Sequence, residues 1–159
     1  MKTLSTVLAA CGIAFAGAAS AANITVYYSP TCPHCHHARD FINNNLVYEY
    51  PNLTVSEVNV MNAENGPVVE EAFKKCEYES HGVPVIVIGE KCFQGYADFM
   101  EQQLRDAVEV DLSDSEKATA AENKKAMEEN AEKFKQDHAD RANAISEYRA
   151  ASTDEAKKK

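Results

Sequence analysis

Two cysteines three residues apart, Cys32 and Cys35 in the stretch Pro30 to Phe41 (PTCPHCHHARDF), are the residues best suited to chemistry in this chain. A C-x-x-C pair supports reversible dithiol–disulfide exchange, while the same residues with His36 spell C-x-x-C-H, the pattern of covalent haem attachment. Either use requires the pair to be held on a defined element. Ile24 to Tyr28 (ITVYY) is β-branched and aromatic and predicts a strand, which runs directly into Ser29-Pro30-Thr31, a helix-start sequence. Pro33 then falls in the first turn, where its missing N–H costs nothing. Residues 33 to about 47 read as a helix with Ala38, Phe41, Ile42 and Leu46 on its buried face.

That arrangement favours the dithiol. A haem would need an axial partner for His36, for which Met61 and Met100 are available, but a strand feeding directly into the motif and a later Val-Pro strand do not suit a haem domain. Cys32, at the helix N-terminus, meets unsatisfied N–H groups and the positive end of the helix dipole, which lower a thiol pKa and make it the attacking sulfur. Cys35, one turn further in, resolves the mixed disulfide. Pro33 stiffens the turn. His34, when protonated, adds positive charge beside the thiolate and makes the disulfide a stronger oxidant. The bland alternative for His34 and His37 is a solvated helix surface, and it is preferred for His37. Cys32, Cys35, His36 and His37 lie within a single turn and do not close a tetrahedral metal site, so no metal is expected.

The compartment bears on this chemistry. Lys2 is followed by an apolar run from Leu4 to Ala19 and by Ala19-Ser20-Ala21-Ala22, which reads as a signal peptide over 1–22 with a mature start at Ala22 or Asn23. A lipoprotein signal ending at Cys11 is the competing reading. Cleavage places the protein in the periplasm or outside the cell, with no stable membrane insertion. Loss of Lys2 leaves 15 basic against 25 acidic residues, a net charge near −10, which argues against nucleic acid or anionic lipid as a partner. Of five cysteines four remain, an even number in an oxidising compartment.

Composition changes near Asp111, dividing the mature chain into a compact domain over 23–110 and a charged helical tail over 111–159. Within the domain, Thr54 to Val60 predicts a second strand, Asn62 to Gly66 a loop, and Pro67 to Tyr78 a second helix. Val83 to Ile88 (VPVIVI) reads as a doubly covered strand, and Gly89-Glu90 as a hairpin into Lys91-Cys92-Phe93. Tyr96 to Val110 closes the domain as a helix. The order is β-α-β-α-β-β-α.

C-P-x-C at a helix start, Gly82-Val83-Pro84 before the third strand and GEKCFQGYADF (Gly89 to Phe99) together resemble the glutaredoxin branch of the thioredoxin superfamily. The resemblance covers about residues 23–110. It implies an α/β fold with a four-stranded mixed sheet flanked by helices, a cis peptide before Pro84, and a thiol–disulfide oxidoreductase without a bound cofactor. It also implies glutathione as co-substrate, with Val83 and Pro84 offering backbone to the substrate, the N–H groups of Gly95, Tyr96, Ala97 and Asp98 holding the γ-glutamyl carboxylate, and Asp98 meeting its ammonium group. The sequence departs from the family at Ser29, where a lysine is usual, at His34 for tyrosine, at Gln94 for glycine and at Ala97 for an acid. Arg39 compensates in part for the missing cation. The CPHC tetrapeptide is that of Dsb-type oxidases, so a protein-disulfide oxidase or isomerase acting on cysteine-containing proteins is the alternative. A metal- or partner-binding module without redox turnover is another.

Cys76 and Cys92 read either as a structural disulfide or as two small buried apolar residues. In the tail, Met127, Ala131, Phe134, His138, Arg141, Ile145 and Tyr148 follow a 4-3 spacing. This permits a coiled-coil homo-oligomer, although a lone amphipathic helix that docks on its own domain, or a marginal solvated one, is favoured. The last residues, STDEAKKK, are expected to be disordered.

Overall fold

The structure is a computed structural model and describes residues 22–150. The readings of a signal peptide, of Cys11 and of a disordered STDEAKKK terminus lie outside the described residues. Strand β1 (Asn23–Tyr28) leads through a tight turn into helix α1 (Pro33–Phe41), and the same helical path continues through a π-helical stretch (Ile42–Leu46) into the short helix α2 (Val47–Glu49). Strand β2 (Thr54–Asn59), helix α3 (Gly66–Lys75), strands β3 (Val85–Ile88) and β4 (Lys91–Gln94) and helix α4 (Glu101–Val108) complete the predicted order. Asn62 to Gly66, expected as a loop, holds a 3-10 turn at Ala63–Asn65, with the Asn62 side chain accepting from the Glu64 N–H.

The sheet runs β4-β3-β1-β2, with β1 and β2 parallel and β3 antiparallel to both β1 and β4. Because side chains alternate across a strand, β1 serves two cores. Ile24, Val26 and Tyr28 pack with Phe41, Ile42, Leu46 and Leu104 on one face, while Tyr27 joins Val58, Val69 and Phe73 of α3 on the other.

Helix α3 ends at Lys75, short of the predicted Tyr78, in a Schellman turn. The Tyr78 N–H donates to the Phe73 carbonyl and the Glu77 N–H to that of Lys74, while the Phe73 and Tyr78 rings meet edge-on at 6.4 Å. Glu77 occupies the left-handed position, φ 56°, where glycine is usual.

The tail departs from expectation. Ser113 and Glu116 form a capping box that starts helix α5 (Asp114–Asp137), and the helix kinks at Asn130 and stops at Asp137 instead of carrying the 4-3 seam to Tyr148. A 3-10 stretch (Ala139–Ala144) then delivers Ile145–Glu147 as strand β5, parallel to β2 with Val55 opposite Ile145. The sheet therefore has five strands where four were expected. The extra one comes from residues whose own neighbourhood favours a helix, because the open edge of β2 offers them unpaired N–H and C=O groups.

Helix α5 and the seam residues Met127 and Arg141 pack within the chain. Ala120 and Met127 are buried, and Asn123 donates to the Glu49 carbonyl at 3.1 Å. Arg141 donates to the carbonyls of Val47, Tyr50 and Leu53 at 2.9, 3.0 and 2.7 Å. These oxygens line the chain from α2 to β2, where that of Tyr50 also accepts the Leu53 N–H, and one guanidinium meets all three. Beneath α5, Arg105 makes a two-pronged ion pair with the buried Glu49 at 2.8 and 2.9 Å, linking α4 to α2.

Arg141→Ala removes these three hydrogen bonds, and the expected cost is about 2 kcal/mol, in the range for hydrogen bonds to charged groups. Chemical denaturation measures the loss, and limited proteolysis is expected to cut first between α5 and β5.

Candidate redox site

Cys32 caps α1. Its backbone is extended (φ −92°, ψ 114°) and its Sγ accepts the Cys35 backbone N–H at 3.1 Å, while the first helical hydrogen bond runs from the His36 N–H to the Cys32 carbonyl. Pro33 takes the first helical position, and the first turn contains no acidic residue. The predicted placement at the dipole's positive end therefore holds. The pair is joined as a disulfide with Cα atoms 5.2 Å apart. The two sulfurs differ in access. Cys32 is half-buried, whereas Cys35 is 1% exposed and packs with Ala38 in the core. His34, His36 and His37 are solvent-exposed.

The third strand completes the site. Val83–Pro84 is a cis peptide, and the Val83 carbonyl oxygen lies 3.6 Å from Cys32 Sγ. Gly95, with φ 81°, donates its N–H to the Pro84 carbonyl at 2.7 Å, so the Gly95 to Asp98 turn is tied to the same corner. Asp98 is exposed and begins a 3-10 turn (Asp98–Met100), with α4 starting only at Glu101 rather than at Tyr96 as expected. Ala97 is partly exposed beside it. Tyr96 points inward, its ring 6.2 Å from that of Phe41 and its hydroxyl donating to Glu101 at 3.4 Å, and burial raises its pKa. A groove of about 440 Å³ runs from His37 and Asp40 past Tyr96 to Asp98 and Glu101. A more apolar cavity of about 120 Å³ lies away from the cysteines, around Ala22, Leu53 and Val108.

Arg39 is engaged elsewhere than the glutathione reading supposed. Its guanidinium donates to the Glu57 carboxylate at 2.7 Å and lies 4.0 Å above the centre of the Tyr28 ring. Glu57 also accepts from Asn43 at 2.7 Å and is buried, at 5% exposure. Sequence reading did not single out this carboxylate; its signal is a single charged residue within a predicted strand, TVSEVNV. Cys76 and Cys92 form a second disulfide, Cα atoms 5.8 Å apart, joining the end of α3 to β4. Among the described residues no cluster of three or more His, Cys, Asp or Glu could hold a metal, and no helix is long and apolar enough to cross a membrane.

A mixed sheet whose central strand delivers a capped dithiol to a helix N-terminus, facing a Val-Pro corner, defines a thiol–disulfide oxidoreductase with the thioredoxin fold. Within that class, residues 24–93 match the glutaredoxin family model, so this segment is glutaredoxin-like. Among solved structures, the glutaredoxin from Archaeoglobus fulgidus is similar, with 24% identity and a TM-score of 0.41, over 58% of this chain and 88% of that one. No curated protein shows significant similarity.

Burial by itself would push the Glu57 carboxyl up, but hydrogen bonds from Arg39 and Asn43 and the charge of Arg39 together hold it below its usual 4.5. A carboxyl depressed in the folded state contributes its stability in full above about pH 4.5 and loses it as pH falls through the lower folded value. Glu57→Gln is therefore expected to be less stable than the parent at pH 7, with the gap narrowing toward pH 3. Urea midpoints across that range test this.

Proposed function

We propose that the protein is an exported, glutaredoxin-like thiol–disulfide oxidoreductase that works through the CPHC dithiol. The observation that carries this is the asymmetry of the pair: a half-buried Cys32 Sγ that accepts an N–H at the helix start, and a fully buried Cys35 behind it. In the reduced form the Cys32 thiolate attacks a substrate disulfide, one substrate sulfur leaves as a thiol, and Cys32 is joined to the other. The Cys35 thiol then loses its proton, attacks Cys32 and releases the second substrate thiol, leaving Cys32–Cys35 oxidised. An extended substrate segment would lie along Val83, whose backbone faces the attacking sulfur.

Glutathione is the proposed small thiol, with the Gly95 to Asp98 turn holding its γ-glutamyl end. The mature protein is placed in the periplasm on the strength of its signal-like N-terminus, and a Cys76–Cys92 bridge suits an oxidising compartment. The second reading, a Dsb-type oxidase donating disulfides to proteins, is favoured by one observation. His34 is exposed in a first helical turn that contains no acid, where its charge can favour the thiolate.

Equilibration of the mature protein in graded reduced and oxidised glutathione, with cysteine alkylation read by mass spectrometry, separates the readings. A Cys32–Cys35 potential of about −200 to −230 mV with glutathione trapped on Cys32 in Cys35→Ser is the expected result, whereas a value near −120 mV without an adduct identifies the oxidase. Cys32→Ser is expected to abolish turnover, and retained activity overturns the dithiol reading. The intact mass of the exported protein is expected to show a start at Ala22 or Asn23; retention of Met1 or lipid on Cys11 sinks the signal-peptide reading.

A further inference from the structure

Gln94 stands where the resemblance leads one to expect glycine, and its side chain does something glycine cannot. Its carboxamide nitrogen donates to the Ser80 carbonyl at 2.9 Å and to the Gly82 carbonyl at 3.0 Å. An amide nitrogen carries two N–H donors, and here both are used on the segment that immediately precedes Val83. At Gly82 a β-carbon would sit at ordinary contact distance, 3.4 Å, from the Gln94 amide nitrogen, so only a larger side chain there crowds this approach.

The placement follows from register. Gln94 is the last residue of β4 and pairs with Val85, directly after Pro84, so its side chain needs to reach back only a few residues along the neighbouring chain. Cys92, two residues earlier, points to the same side of the strand, as alternation requires, and bridges to Cys76. Between those anchors lies the connection from Glu77 to Val83, which contains no regular secondary structure. Its start is held by the Schellman turn and the disulfide. Its far end, the part that delivers Val83 to Cys32, is held by Gln94.

We propose that Gln94 is a positioning residue for substrate binding: by tying Ser80 and Gly82 to β4 it holds the Val83 backbone in the place where an extended, disulfide-bearing peptide docks beside Cys32. The inference rests on the dithiol reading above. A residue that fixes a docking edge acts on how often the edge is in place, so its removal raises KM and leaves the sulfur chemistry alone.

The test uses the mature protein with Cys76–Cys92 intact and a synthetic peptide glutathionylated on its single cysteine. Gln94→Ala removes the donor, and Gln94→Glu keeps the shape but offers only acceptors at neutral pH. Both are expected to raise KM about tenfold, the size of one good hydrogen bond, with kcat within about twofold. The Cys32 thiolate titration and the Cys32–Cys35 equilibrium with glutathione are expected to be unchanged. Gly82→Val, which leaves Gln94 in place but fills its approach, is expected to show the same pattern and serves if the Gln94 variants fail to fold. A parental KM in Gln94→Glu overturns the proposal, as does a loss confined to kcat or a displaced thiol equilibrium. Turnover retained in Cys32→Ser would instead sink the dithiol reading, whereas its loss together with unchanged KM in the Gln94 variants sinks only the role of Gln94.

Discussion

The site depends on the pairing of β1 with β3. The two inner strands run antiparallel with Tyr27 opposite Val85, so the end of β1 and the beginning of β3 meet at one end of the sheet. The chain leaving β1 turns at once into the capped helix, and the chain approaching β3 arrives through Val83 and Pro84. Cys32 and Val83 are 51 positions apart in sequence, yet Sγ and carbonyl oxygen lie 3.6 Å apart. A slip of one residue in this register would turn every side chain of β3 to the opposite face and carry the corner away from the sulfur. Hydrophobic burial guards against the slip, since Ile86 and Ile88 must meet Val26 and Ile24 in the core.

On this frame the chemistry is graded by depth. The helix start gives Cys32 an N–H and a favourable dipole, and the core keeps Cys35 away from solvent. Substrate sulfur thus meets Cys32 first, and Cys35 can reach only a partner that Cys32 has already bound. The buried Glu57, paired with the part-buried Arg39 and with Asn43, braces α1 against β2 and the Tyr28 ring. A charge buried in this way is tolerable because its oxygens are satisfied by two donors.

The tail closes the open edge. Without β5 the edge of β2 would present unpaired backbone groups, an invitation to pair with another chain. Arg141 makes the return feasible by meeting three carbonyls at once, and the kink at Asn130 redirects the chain toward β2. At the other edge, β4 is short and is tied down by its disulfide to Cys76.

Local residue types determined much of this protein. The strand ITVYY, the Pro33 helix start, the C-x-x-C spacing, the Val-Pro strand and the Gly89-Glu90 turn each act through neighbours within a few residues, and all were legible as elements and as a redox motif. The four-strand count failed because Ile145–Glu147 becomes a strand only when β2 offers it an edge, a contact across some ninety residues. The same holds for Glu57, for the engagement of Arg39 and for the reach of Gln94: each was visible as a residue, but its partner was set by sheet register. The Cys76–Cys92 pairing was an open alternative for the same reason, since a disulfide needs two Cα atoms brought within bonding reach and only the packing of α3 beside β4 brings them to 5.8 Å.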